Sequence, residues 1–332
     1  MTNFEFIRTS TIKAALDAWS RTPGSSYIAG GTNLIDLMKK GVTSPQRLID
    51  INSLPLRFIE ADRKGIKIGA LAINSEVAVN KAVKEDYPLL ALALRAGASA
   101  QLRNMATVGG NMMQRTRCPY FYDTALPCNK RQPGTGCSAL KGFNRMHAIF
   151  GTTEKCIAVH PSDMCVALAA LDAKVEITGP QGTREIAFTA FHKLPGNNPE
   201  ADNNLKKGEL IHSVFIPANP FNKHISYLKV RDRASYAFAL VSVATALELD
   251  GAIVKKANLA MGGVAHKPWR LTEVEQFLTG KELTGNNLRA AVKLAMKGAK
   301  GYGENNFKLK LAPSVIMQSL VNAMNAVGIT NN

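Results

Sequence analysis

Four cysteines, Cys118, Cys128, Cys137 and Cys156, crowd into one stretch rich in glycine and proline, and that stretch must fold as a loop around them. The local sequences are Arg117-Cys118-Pro119-Tyr120, Pro127-Cys128-Asn129-Lys130, Gly136-Cys137 and Lys155-Cys156. Disulfides form in oxidising compartments, and the start Met1-Thr2-Asn3-Phe4 carries no charged segment followed by an apolar run that would direct export. Zinc ligands usually pair about two to four residues apart, closer than these. An iron–sulfur cluster needs soft thiolates and tolerates irregular spacing where the loop folds around it. Spacing alone leaves a cluster, zinc and unrelated thiols open. Arg115, Arg117, Lys130 and Arg131 lie where they would offset a cluster's negative charge. Cys165 differs: in the apolar run Met164-Cys165-Val166-Ala167-Leu168 it reads as a small core residue.

The chain of 332 residues is long enough for two or three domains. With 46% hydrophobic and 20% charged residues it has the balance of a soluble globular protein. The longest apolar stretch, Tyr236 to Leu249, is short and broken by Ser and Thr, so no membrane span is expected. A net charge of +16 raises the question of nucleic acid. The Lys and Arg residues are scattered, which points to a solvated basic surface of the kind that would complement an acidic protein partner.

Helix Ile12 to Trp19 is expected behind a Ser10 or Thr11 cap. A strand at Tyr27 to Ala29 then leads into Gly30-Gly31 and a helix from Leu34 to Lys40, closed by Gly41. Strands are expected at Arg47 to Ile51 and Ile66 to Ala70, and a buried helix at Pro88 to Ala96. Ala106 to Asn111 reads as a second Gly-Gly turn, and Ser162 as the cap of a helix through Leu171. Strands near Val175 and Ile186 are joined by Gly179-Pro180-Gln181-Gly182, and another runs from Ser213 to Ile216. Pro217-Ala218-Asn219-Pro220 marks a boundary. Beyond it, Phe238 to Glu248 and Ile253 to Gly262 form a hairpin about Asp250-Gly251. Helices are expected at Leu271 to Leu278, Leu288 to Ala299 and Pro313 to Ala326.

The glycine pairs carry the binding chemistry. In Ala29-Gly30-Gly31-Thr32-Asn33-Leu34 they sit between strand and helix, so backbone N–H groups can approach a phosphate closely. Thr107-Val108-Gly109-Gly110-Asn111 repeats the theme with a hydroxyl and an amide. Neither matches a Walker A loop or a GxGxxG fingerprint. Two such segments together suit a dinucleotide pyrophosphate held between them.

These segments, with Ser162-Asp163-Met164, Lys229-Val230-Arg231 and Gly262-Gly263-Val264-Ala265, occur in the order seen in FAD-binding subunits of the xanthine dehydrogenase and carbon monoxide dehydrogenase family, which the whole chain resembles. The stretch from Arg115 to Asp123, with Pro127 to Arg131 and Arg231 to Ser242, resembles a narrower branch. That branch comprises flavin subunits of heterotrimeric periplasmic molybdenum aldehyde oxidoreductases, which carry an additional [4Fe–4S] cluster.

The resemblance implies an α+β fold. A two-subdomain, PCMH-like FAD-binding module (residues 1–55 and 56–218, with a cluster insertion at 115–157) precedes a C-terminal domain (219–332) of a three-stranded sheet and helical bundle. It implies Cys118, Cys128, Cys137 and Cys156 as cluster ligands. For FAD it implies Tyr27, Ile28, Ala29, Gly30, Gly31, Thr32, Asn33, Leu34, Thr107, Gly110, Asn111, Asp163 and Lys229, with no catalytic residue in this chain. Partners would be a molybdenum-cofactor large subunit, a [2Fe–2S] small subunit and an external electron acceptor, with no nucleic acid and no membrane span. Co-export to the periplasm on a partner's signal, or residence in the cytoplasm, follows from the same resemblance. A hydroxybenzoyl-CoA reductase-like flavin subunit and a zinc-stabilised binding module are the alternatives.

Several of these residues have plain structural readings as well. Asp163 at a helix start would compensate the helix dipole, Lys229 would snorkel from a strand end, and Tyr236 would pack in a core. His160 and His266 read as hydrogen-bonded structural histidines.

Overall fold

The structure, a computed structural model, describes residues 1–326. Three sheets, each built from a different part of the chain, carry the architecture. Strands β1 (Glu5–Arg8), β2 (Ser25–Ile28) and β3 (Arg47–Asp50) form a parallel sheet in the order β1-β3-β2. The helix Ile12–Arg21, capped by the Thr11 hydroxyl as the sequence indicates, connects the first two strands. Helix Leu34–Lys39 makes the second crossover and stops before Gly41, whose φ of +70° lets the chain turn.

The second sheet is antiparallel. It takes β4 (Ile59–Asp62), β5 (Gly65–Gly69), β6 (Lys174–Gly179), β7 (Gly182–Ala187) and β8 (Leu210–Pro217) in the order β4-β5-β8-β6-β7. Helix Pro88–Ala96 begins with proline, whose missing N–H costs nothing at that position, and buries Leu89, Leu90 and Leu94 in the core they share with Ile66, Val175 and Val214 of this sheet.

The third sheet takes β9 (Ile225–Val230), β10 (Val241–Asp250), β11 (Ile253–Gly262) and the two-residue β12 (Trp269–Arg270) in the order β12-β11-β10-β9. The expected three-stranded sheet thus gains a short fourth strand. Along β10 the alternation of side-chain size decides the packing. Val241, Val243 and Leu247 join the core beneath the C-terminal helices, while Ala244 and Ala246 face the cluster that includes helix Asp163–Ala170. Small residues on that face let the helix come close, and every residue of that helix is buried.

Two expectations fail for identifiable reasons. Val108–Met112 is a helical turn with Thr107 as N-cap, not a Gly-Gly turn, because the Thr107 hydroxyl accepts from the Gly110 N–H at 3.1 Å. The last helix begins at Lys308 rather than Pro313 and runs to Asn325, with the proline inside it. Burial of Ala312, Val315 and Ile316 outweighs the hydrogen bond that the internal proline forgoes.

Candidate functional site

The two glycine segments meet. A Cβ at Gly30 would lie 1.9 Å from the Met105 carbonyl oxygen, so only glycine lets the first loop touch the chain leading into the second. Gly31 adopts a φ of +67°. Among the described residues, none of the backbone N–H groups of Gly30, Gly31, Thr32 and Asn33 donates a hydrogen bond within the chain. The Asn33 side chain is pinned by its Oδ1, which accepts from the Arg115 N–H at 2.9 Å, and its buried Nδ2 has no acceptor. A row of unspent donors is a site for an anion.

Two cavities, of about 690 Å³ and about 450 Å³, share Thr32, Asn33 and Gly110 as lining residues. Tyr27 to Leu34, Thr107 and Gly110 line the smaller one, while Asn111 and Asp163 line the larger. The Asn111 Oδ1 accepts from Ser162 Oγ and from Gln114 Nε2, both at 2.7 Å, which fixes the amide at the cavity wall. The geometry suits an elongated dinucleotide with its pyrophosphate at the shared neck.

Lys229 stands differently from the rest: it does not line either cavity. It does not snorkel, because its buried ammonium donates to Asp163 Oδ2 at 2.7 Å and to the Ala96 carbonyl at 3.0 Å. Tyr227 donates to Asp163 Oδ1 at 2.7 Å, and burial together with that carboxylate pushes the phenol well above its ordinary pKa. The register pairs Ser242 with Lys229 and Ala244 with Tyr227, so strand alternation sends both side chains to the face where helix Asp163–Ala170 packs. Asp163, first residue of its helix behind the Ser162 cap, is therefore both a dipole-compensating charge and a cavity wall held in place by two donors. Tyr236 is exposed rather than packed in a core; it lines the larger cavity at a φ of +51°.

Cys118, Cys128, Cys137 and Cys156 line one further cavity, and all are free thiols. Cys128 and Cys137 face each other across an isolated antiparallel bridge. The loop between them closes on Asn129, whose Oδ1 accepts from the N–H groups of Gly134 at 3.1 Å and Gly136 at 2.8 Å. Both glycines have positive φ, +87° and +103°. Burial pushes the Cys118 thiol up to about 12, opposed by N–H groups of Phe121 and Tyr120. Cys137 moves down because Cys156 donates to it, and Cys156 correspondingly moves up. Backbone N–H groups of Ile157, Ala139 and Leu140 also point at Cys137.

The basic residues flanking this loop act as braces. Arg115 reaches Asp202 at 2.6 Å, and Lys130, buried on the cavity wall, is paired with the same carboxylate. Arg131 donates to the carbonyls of Tyr120 and Phe121. Arg117 pairs with Asp36 and Tyr122 and lines the larger flavin-sized cavity.

The buried histidines depart from the sequence reading. His266 has no hydrogen-bond partner at either ring nitrogen, and His160 has none at Nε2. His160, Cys165 and His192 bring potential ligand atoms within 4.8 Å of one another. The Ser162 N–H donates to His160 Nδ1 at 3.4 Å. Sequence reasoning also missed His147, beside the Cys118 sulfur, and Tyr227. Only Tyr227 had a readable signal, its i,i+2 spacing from Lys229.

Fold and cavities together define a flavin-dinucleotide-binding protein. Residues 2–219 match the family described as FAD binding domain in molybdopterin dehydrogenase, and residues 226–323 match CO dehydrogenase flavoprotein C-terminal domain. The chain belongs to the FAD-binding subunits of the molybdenum hydroxylase family. It is 50% identical over 327 residues to the aldehyde oxidoreductase FAD-binding subunit PaoB of Escherichia coli, covering 97% of this chain and 99% of that one. The glyceraldehyde dehydrogenase medium chain of Sulfolobus acidocaldarius is 31% identical, over 84% of this chain and 82% of that one. Carbon monoxide dehydrogenase from Hydrogenophaga pseudoflava shares the fold at a TM-score of 0.76, with 22% identity and 97% of each chain covered. No helix of the described residues is long and apolar enough to cross a membrane.

Proposed function

We propose that this chain is the FAD- and [4Fe–4S]-containing electron-transfer subunit of a heterotrimeric molybdenum aldehyde oxidoreductase. Electrons from aldehyde oxidation on a large subunit would arrive through [2Fe–2S] centres of a small subunit and leave to an external acceptor. The observation that carries this reading is the 50% identity, over nearly the full length of both chains, to an aldehyde oxidoreductase FAD-binding subunit. Three separate sheets support the division into residues 1–55, 56–218 and 219–332.

The residues fit the group. The free N–H row from Gly30 to Asn33 and the unpartnered Asn33 amide would hold the pyrophosphate. Thr107 would help through its hydroxyl proton, since its oxygen already caps the Val108–Met112 helix. Asp163, fixed by Tyr227 and Lys229, offers a carboxylate of set orientation to donors of the nucleotide. Bound FAD would supply storage for two electrons, taken up one at a time from the iron–sulfur centres and passed on to the acceptor. The cysteine pocket offers four sulfurs with convergent backbone N–H groups, as cluster sites require.

Absorption spectra with flavin, iron and acid-labile sulfide assays on the complex test this. Flavin bands plus iron and sulfide, bleached by aldehyde under anaerobic conditions, are expected. A colourless chain holding zinc overturns the reading. We place the complex in the periplasm by co-export, and a large-subunit gene lacking a twin-arginine signal argues for the cytoplasm instead.

A further inference from the structure

His147 lies at the cysteine pocket, yet nothing above assigns it a role. It is 2% exposed, and its Nε2 sits 3.1 Å from the Cys118 sulfur. Among the described residues the other ring nitrogen, Nδ1, has no partner. That asymmetry selects a tautomer. With the proton on Nε2 the ring donates to sulfur and leaves only a lone pair unspent, whereas the alternative strands a buried N–H with no acceptor. A cysteine that ligates metal is a thiolate and cannot donate, so only the Nε2–H form makes the contact then.

The main chain of His147 is held at both its N–H and its carbonyl. The His147 N–H donates to the Asn144 carbonyl at 2.9 Å. Its carbonyl accepts from Lys308 Nζ at 3.0 Å and Asn305 Nδ2 at 3.4 Å. Lys308 and Asn305 are both fully buried, and Lys308 also donates to the Gly263 carbonyl at 2.7 Å. The next residue, Ala148, pairs through its N–H with Ile157, the neighbour of Cys156, at 2.8 Å. A buried lysine and a buried asparagine thus fix the main chain that carries the imidazole beside the Cys118 sulfur. Of the four cysteines, Cys118 alone also borders the cavity lined by Arg117, Asp163 and Phe238, on the side of the flavin-sized space.

We propose that His147 is a positioning residue for the metal–sulfur group of the cysteine pocket: its Nε2–H donates to the Cys118 sulfur, fixes that ligand and favours the reduced state. This rests on the cluster reading given under Proposed function. The direction follows from charge. Reduction places more negative charge on the sulfurs, and a donor aimed at one of them stabilises that form more than the oxidised one.

The test uses the intact complex carrying His147→Leu, which removes the donor, and His147→Gln, which keeps an N–H. Iron and sulfide content and an EPR-monitored potentiometric titration are read for both and for the unsubstituted complex. His147→Leu is expected to retain iron and to shift the reduction equilibrium towards the oxidised form by about tenfold, about 59 mV for a one-electron couple. His147→Gln is expected to recover most of that shift. Retained iron with an unchanged potential in His147→Leu overturns the inference. If His147→Leu loses iron, His147→Gln decides: recovered iron and potential support the role, and loss in both overturns it. An unsubstituted complex without iron or sulfide instead overturns the cluster reading itself.

Discussion

At the flavin-sized cavities the groups awaiting a ligand are mostly main-chain N–H groups and small residues, set by glycines that admit no side chain. At the cysteine pocket they are sulfurs, held by ion pairs and side-chain hydrogen bonds reaching across the sequence. The first arrangement is rigid before any ligand arrives, since its donors belong to the backbone of a strand–loop–helix unit. The second buries the Cys118 thiol and so raises its proton affinity, and it reaches its working charge state only when something replaces that proton. One site is prepared by shape, the other is completed by what binds it.

That contrast can be broken at single residues. The largest effect is expected from Gly30→Ala, because a Cβ there meets a backbone oxygen that cannot swing away. Retained FAD should fall more than tenfold, read as the flavin-to-protein absorbance ratio, while iron stays. Unchanged flavin would mean that the two loops are not locked as described. Next, serine at Cys118, Cys128, Cys137 or Cys156 should remove most of the iron and leave the flavin. Serine at Cys165, a buried core position, should retain both and cost about 1–3 kcal/mol of stability. Equal iron loss at Cys165 would erase the distinction between pocket and core.

Asp163→Asn leaves the Lys229 ammonium buried without its counter-charge, a loss of about 3–5 kcal/mol. A lower melting temperature in flavin-free protein checks this; a change of less than about 1 kcal/mol would show that the pair adds little. The smallest effect concerns pH. Burial alone would raise the Asp202 carboxyl, but Lys130 and Arg115 overcome it and hold the group at about 2, below its ordinary 3.8. Its folded value is the lower one, so its stabilisation is present above about pH 4 and is lost as pH falls through about 2. Urea midpoints across that window should show the advantage over Asp202→Asn shrinking, by about 2 kcal/mol in all. A constant gap would detach the brace from its charges.

The sequence made the local parts legible. Pro88–Ala96 has the expected bounds because proline and an unbroken apolar run specify it without help from elsewhere. The Gly30-Gly31 loop could be read for the same reason: its function lies in its own backbone. What stayed hidden depends on pairing across distance. The edge strand Glu5–Arg8 exists because it pairs in parallel with Arg47–Asp50, and nothing in its four residues announces that partner. Lys229 looked like a surface lysine until the sheet register turned it towards Asp163. His147 could not be singled out at all, since its meaning comes from Cys118 on one side and Lys308 on the other.

The wall of the larger cavity draws on residues from Thr32 to Phe238. During synthesis at about 5–20 residues per second, on the order of 10–40 s separate the emergence of its first and last parts from the ribosome. The N–H row of Gly30 to Asn33 therefore precedes, by that interval, the residues that complete the cavity with it.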